Sequence, residues 1–223
     1  MKKQGIKKGD RVGIVGLGGL GVMGVKIATA LGATVTVISR GRSKEELARR
    51  IGAENYVAMA EKESVEKGKD SLDLIINTVP SYHDYSAYKV LLDKESKISR
   101  MVMLGLHEGI ASGMLLDKVT CGNSRIMSSG IGGIRATQEV MDLCAEHEIY
   151  PELEVVGCDK INWIYQQLEN SNDSGKRYVL DIATLKEGLV SSDPAPTLSD
   201  GHDMKIGGIL GVFLRDLFLF RWW

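Results

Sequence analysis

Residues 11–21 read Arg-Val-Gly-Ile-Val-Gly-Leu-Gly-Gly-Leu-Gly. An apolar strand runs straight into Gly16-x-Gly18-x-x-Gly21, and an apolar run at helical spacing follows, with Leu20, Met23, Ile27 and Leu31. Glycines at these offsets between a strand and a helix are the fingerprint of a dinucleotide-binding turn. The first allows the tight turn out of the strand, and the second lets backbone approach a pyrophosphate. The third lets helix and strand pack closely. Free N–H groups and the positive end of the helix dipole then suit phosphate. Gly16, Gly18, Gly19, Leu20 and Gly21 are therefore the candidate phosphate cradle. The plainer alternative is a glycine-rich strand–helix turn with no ligand.

The rest of the chain agrees with such a start. Strands are predicted at 11–15, 34–38, 55–57, 72–77, 101–106, 125–128 and 178–182. Helices are predicted between them at 20–31, 43–51, 83–92, 136–147 and 160–170. Continuous apolar runs such as Leu72-Asp73-Leu74-Ile75-Ile76 suit strands covered on both faces. Ser43 before Glu45 and Glu46 reads as a helix cap. Gly32 after Leu31 reads as a helix stop. This alternation predicts an α/β fold with a doubly wound parallel sheet of the Rossmann type. The pattern ends near Ala183. Residues 186–202 are rich in Ser, Asp, Pro and Gly and read as a linker. Residues 206–223 are apolar, with Leu210, Phe213, Leu214, Leu217 and Phe218 at helical spacing. Arg215, Asp216 and Arg221 within that stretch make it a poor membrane span. The expected division is a nucleotide-binding domain over 7–185 and a linker with an apolar tail over 186–223.

Charge is nearly balanced, at 28 basic against 29 acidic residues. No basic stripe with interleaved aromatics points to nucleic acid. The N-terminus has no apolar run of a secretory signal. Cys121, Cys144 and Cys158 are odd in number and widely spaced, so reduced thiols and a cytoplasmic protein are expected.

Several ordered blocks together resemble a known family. They are Lys8-Gly9-Asp10-Arg11-Val12 leading into the glycine turn, Leu31-Gly32-Ala33 with its strand to Ser39, and Ile51-Gly52-Ala53-Glu54. Asp73-Leu74-Ile75-Ile76-Asn77-Thr78, Met103-Leu104-Gly105-Leu106, Ser129-Gly130-Ile131-Gly132-Gly133 and Gly175-Lys176-Arg177-Tyr178-Val179-Leu180-Asp181 continue the series. Residues 7–185 so resemble the cofactor domain of zinc-dependent medium-chain alcohol dehydrogenases, in their cinnamyl-alcohol-dehydrogenase-like branch. The resemblance implies NADPH-dependent reduction of aldehydes or oxidation of primary alcohols, with a homodimer as the family's usual assembly. It also implies zinc, whose ligands, usually Cys, His and Cys with a nearby Glu, belong to a catalytic domain preceding the Lys8-Gly9-Asp10 block. This chain begins just before that block, so none of those ligands is expected in it. A catalytically inactive NADPH-binding module or a truncated fragment is the alternative reading.

The acid that holds the ribose of NAD is expected about 20 residues past the last glycine. That slot holds Ser39 and Arg40, with Arg42, Ser43 and Lys44 close behind. A carboxylate there would repel a 2′-phosphate, whereas a hydroxyl and a guanidinium would bind it. NADP(H) is expected over NAD(H), with Ser39, Arg40 and Lys44 as contacts. Thr78 and Val79, and Gly105 and Leu106, follow strands at their carboxyl ends, where ligands of open α/β sheets bind. The resemblance puts these near the adenosine and nicotinamide sides, and Ser129, Gly130 and Ile131 near the nicotinamide. His83 and His107 read as surface or helix-start histidines, Asp73 and Asp181 as hydrogen-bonded strand-end acids, and Cys121 as an ordinary thiol. Cys144 and His147 are a pair at ligand-like spacing without an identifiable third ligand.

Overall fold

A computed structural model describes residue 1 and residues 4–81, 83–96, 99–104, 125–169 and 177–185. Six strands form one parallel sheet: β1 (Arg11–Val15), β2 (Thr34–Ser39), β3 (Asn55–Ala58), β4 (Leu74–Asn77), β5 (Arg100–Met103) and β6 (Ile126–Ser128). Their order is β3-β2-β1-β4-β5-β6, the doubly wound arrangement whose strand order reverses between β1 and β4. Helices α1 (Gly19–Ala30), α2 (Glu45–Arg50) and α3 (Lys62–Gly68) connect the first four strands, and α4 (Ile134–Glu146) follows β6.

The two faces of the sheet are written in the strands at a period of two. Val12 and Ile14, Val35 and Val37, Leu74 and Ile76, and Val102 join Val22, Val25 and Ala28 of α1 in one buried layer. Their neighbours Val15, Ile38, Ile75, Met101 and Met103 form the other layer with Val57, Leu91 and Leu92. Each fully buried side chain of this size is worth about 1.5–3 kcal/mol. Both faces of the sheet are therefore covered, as the continuous apolar runs require.

Differences from the sequence reading are local and have physical causes. In α1 the buried positions are Gly21, Val22, Gly24, Val25, Ile27 and Ala28, not Leu20 and Met23. A helix lying close on a parallel sheet needs small or β-branched residues at the contact, and the larger side chains sit on its flanks. The predicted helix at 83–92 is a 3₁₀ helix, Tyr85–Leu91, capped by Asp84, which accepts from the Ser86 N–H. Ser43 is not the cap of α2. Lys44 holds that position, without a side-chain capping bond. Helix α3 and strand β7 (Leu153–Gly157) were not anticipated. The predicted strand 178–182 is β8 (Arg177–Asp181), and it does not join the main sheet. It pairs in parallel with β7, across helix α5 (Ile161–Glu169), as a separate two-stranded ribbon.

That ribbon is tied to the main unit by polar contacts. Lys26 donates to the Tyr150 carbonyl at 2.7 Å, and Arg50 meets Glu152 at 3.4 Å. At the amino end of the sheet, Arg11 makes a two-pronged bond to Asp73, at 3.1 and 2.6 Å, and reaches Asp93 at 2.6 Å. Asp181 accepts from the Ala183 N–H. Both aspartates are thus strand-end acceptors, as the sequence suggested. No helix among the described residues is long and apolar enough to cross a membrane. The tail, 186–223, lies outside the described residues.

Candidate functional site

The crevice at the carboxyl ends of β1 and β4 is where an open α/β sheet presents its site. Gly16 leaves β1 with φ +85, a conformation that costs glycine nothing and other residues dearly. Its N–H donates to the Ile38 carbonyl at 3.0 Å, which anchors the turn to β2. From the other side, the Thr78 hydroxyl donates to the Val15 carbonyl at 2.8 Å and the Thr78 N–H to the same oxygen at 3.1 Å. A Cβ at Gly16 would stand 2.8 Å from the Val79 side chain. Thr78 and Val79 therefore brace the glycine turn.

The other glycines divide the work between packing and access. A Cβ at Gly21 would overlap the backbone carbonyl oxygen of Gly16, so α1 can approach the turn only with glycine there. Gly18, the N-cap of α1, has no side-chain cap and nothing within 4 Å of where a Cβ would stand. Open space thus lies over a helix N-terminus whose first amides have no intrahelical acceptor. A diphosphate fits this cradle by hydrogen bonding and by the helix dipole.

One contact escaped the sequence reading. The guanidinium of Arg177, the first residue of β8, lies over Gly19 so closely that a Cβ at Gly19 would overlap it. A cation therefore stands beside the open helix terminus, supplied from the far end of the described chain. The sequence places this arginine in the 175–181 block and carries no sign that it returns to Gly19.

At the end of β2, Ser39 is half-buried and Arg40 exposed. Their carbonyls accept from the Met59 and Ala60 N–H groups at 2.8 and 2.9 Å, which fixes the backbone. Tyr56 donates to the Gly41 carbonyl at 2.6 Å and holds the loop beyond it. Arg42 is engaged elsewhere, with Glu61 on both carboxylate oxygens and with Glu45 at 2.7 Å. Those two carboxylates hold the Arg42 guanidinium well above its ordinary pKa, through the Glu61 hydrogen bonds first. Lys44 lies half-buried at the start of α2.

On the β6 side, the Ser129 N–H donates to the Met103 carbonyl at 3.0 Å, and Gly130 and Ile131 are exposed at the same edge of the sheet. Gly105, Leu106, His107 and Cys121 lie outside the described residues. His83 stands at the start of the 3₁₀ helix, next to its cap Asp84. It is half-buried and bonded to Asn77 and to the Ser81 carbonyl. Cys144 is half-buried in α4, and burial pushes its thiol up; His147 is the exposed C-cap of the same helix. Among the described residues, no three His, Cys, Asp or Glu side chains gather around one point. Those residues do not fit a zinc ion.

A parallel sheet of this order with a glycine cradle at its switch point defines a dinucleotide-binding α/β protein. Residues 19–146 match the zinc-binding dehydrogenase family model, and the chain belongs to that family. It is 40% identical over 181 residues to NADP-dependent alcohol dehydrogenase C 1 of Mycolicibacterium smegmatis, covering 80% of this chain and 50% of that protein. It is 38% identical over 188 residues to a probable cinnamyl alcohol dehydrogenase of Populus deltoides, covering 83% and 51%. Among solved structures it is similar to a cinnamyl alcohol dehydrogenase of Sorghum bicolor, with TM-score 0.69 and 32% identity over 83% of this chain and 51% of that one. The same shares are covered in the cinnamyl alcohol dehydrogenase of Helicobacter pylori complexed with NADP(H), with TM-score 0.67 and 31% identity. The chain spans about half the length of the curated relatives it matches.

Proposed function

We propose that residues 7–185 bind NADP(H) and serve an NADP-dependent alcohol dehydrogenase that interconverts aldehydes and primary alcohols. The observation that carries this reading is the open cradle at the β1–β4 switch point, with Gly18 unobstructed and Arg177 beside it. The printed activities of the relatives support the choice of reaction. The bound dinucleotide supplies the hydride.

Each part of this chain has a binding role. Gly16, Gly18, Gly19, Leu20 and Gly21 present backbone N–H groups to the pyrophosphate, and Arg177 adds charge. Ser39, Arg40 and Lys44 face the 2′-phosphate, where an acid would repel it. Thr78 and Val79 brace the turn and flank the adenosine. Ser129, Gly130 and Ile131 line the nicotinamide side. The expected setting is the cytoplasm, with reduced Cys144 and Cys158, and the expected assembly a homodimer. The test is titration of the purified chain with NADPH and NADH, followed by quenching of its own fluorescence. Binding of NADPH at least tenfold tighter than NADH supports the reading. Equal curves refute the preference, and no binding of either refutes the reading.

A further inference from the structure

Asn77 ends β4 and is fully buried, and its amide is held in one orientation. Its Oδ1 accepts from the Val79 N–H at 3.1 Å, so its Nδ2 is the atom that faces His83 Nε2 at 2.9 Å. An amide nitrogen can only donate, so Nε2 must accept. The other ring nitrogen, Nδ1, lies 2.7 Å from the Ser81 carbonyl, which can only accept, so Nδ1 must carry the proton. One state satisfies all three contacts: a neutral imidazole protonated on Nδ1. A doubly protonated ring would set an N–H against the Asn77 amide N–H₂.

This chain of bonds ends on the candidate site. Asn77 holds the Val79 N–H, Val79 packs against Gly16, and Thr78 between them is bonded to Val15. Titratable groups stand around the ring among the described residues. Asp84 faces it, and the rings of Tyr85 and Tyr88 lie 6.4 and 5.7 Å away. Arg40 at the end of β2 acts on Tyr88. The 3₁₀ helix thus packs His83 from one side, and the strand end receives it on the other.

We propose that His83 is a positioning residue for dinucleotide binding, whose neutral ring fixes the Asn77 amide and through it the 77–79 backbone that braces Gly16. The proposal rests on the dinucleotide reading above. It goes beyond that reading by making affinity depend on the protonation of a residue that does not touch the ligand. Acidification then weakens binding by breaking the Asn77–His83 bond. Asn77→Asp reverses the sign, because a carboxylate oxygen in place of Nδ2 accepts from a protonated Nε2–H while its partner oxygen still accepts from Val79.

The experiment is calorimetric titration of the full chain with ADP-ribose, which carries the pyrophosphate and no 2′-phosphate to titrate. It is run between about pH 8 and pH 5, the range in which imidazoles change charge. The unmodified chain should lose affinity on acidification, and Asn77→Asp should gain it. His83→Phe, which keeps a ring against Tyr85 and Tyr88, should bind about tenfold more weakly at the alkaline end and show a flat profile. Nitrogen NMR of the unmodified chain should report His83 as the Nδ1–H tautomer at neutral pH. An Nε2–H tautomer, a His83→Phe profile matching the unmodified chain, or the same pH slope in Asn77→Asp overturns the proposal. The tautomer measurement decides it even where a variant does not fold. No binding of ADP-ribose or of NADPH by the unmodified chain at any pH overturns the dinucleotide reading itself. Binding that ignores His83 overturns this proposal alone.

Discussion

The guanidinium of Arg177 lies over Gly19, and a Cβ at position 19 would take its place. Two variants separate charge from space. Arg177→Gln should weaken NADPH binding roughly tenfold to a hundredfold, the worth of a charge-assisted bond of about 1.5–3 kcal/mol. Gly19→Ala should weaken it comparably by pushing the guanidinium aside. The melting temperature should change little, because the displaced atoms are the end of a flexible side chain. Fluorescence titration and thermal melts read both. Unchanged affinity in both variants would show that Arg177 does not meet the ligand.

Gly21→Ala should behave in the opposite way. The added Cβ meets backbone, the Gly16 carbonyl, which has nowhere to go. Overpacking of this kind costs about 1–3 kcal/mol. Stability measured by urea unfolding should fall by at least that much, and binding with it.

Arg40→Asp should weaken NADPH binding by roughly tenfold or more and NADH binding less, because the new acid repels the 2′-phosphate. Arg42→Ala should have a smaller effect on the NADPH-to-NADH ratio, because Glu61 and Glu45 already occupy that guanidinium. Titration of both cofactors against both variants decides. A larger change for Arg42 would mean that it leaves its carboxylates for the nucleotide.

At the opposite end of the sheet, the Arg11 hydrogen bonds hold the Asp73 carboxyl below its usual range. A carboxylate whose pKa is depressed by folding contributes stability above its unfolded value. That contribution is lost as pH falls through the folded one. Asp73→Asn should therefore cost about 1–2 kcal/mol near neutrality. The lower part of the range for charged hydrogen bonds applies because the Arg11 side chain is 40% exposed. The variant should lose less stability than the unmodified chain as pH drops from about 5 to below 4. Urea unfolding at several pH values measures both, and parallel pH curves would assign the stability to other groups.

What could be read from the sequence was what neighbouring residues determine together. The β1 strand, the glycine turn and α1 are contiguous, and Val12 to Val15 and the three glycines announce them without help. The alternation of faces in β2 and β4 was equally plain. Helix α3 was not, because Lys-Glu-Ser-Val-Glu-Lys-Gly has no apolar stripe and buries only Ser64 and Gly68. Strand β7 was hidden by its half-exposed pattern and by having one partner only. The contact of Arg177 with Gly19 arises from where the chain returns in space, and the bond of His83 to Asn77 from the turn of a short loop six residues on. Neither leaves a periodic trace.

The glycine turn precedes Arg177 in the chain by more than 150 residues. Domains take shape from the N-terminus during synthesis. The glycine turn therefore leaves the ribosome as a half-built anion site, neutral but for its amides. It gains the Arg177 guanidinium only once β8 has emerged and docked beside α1. On the proposed reading, a chain whose β8 has not docked holds the nucleotide more weakly than one whose β8 has.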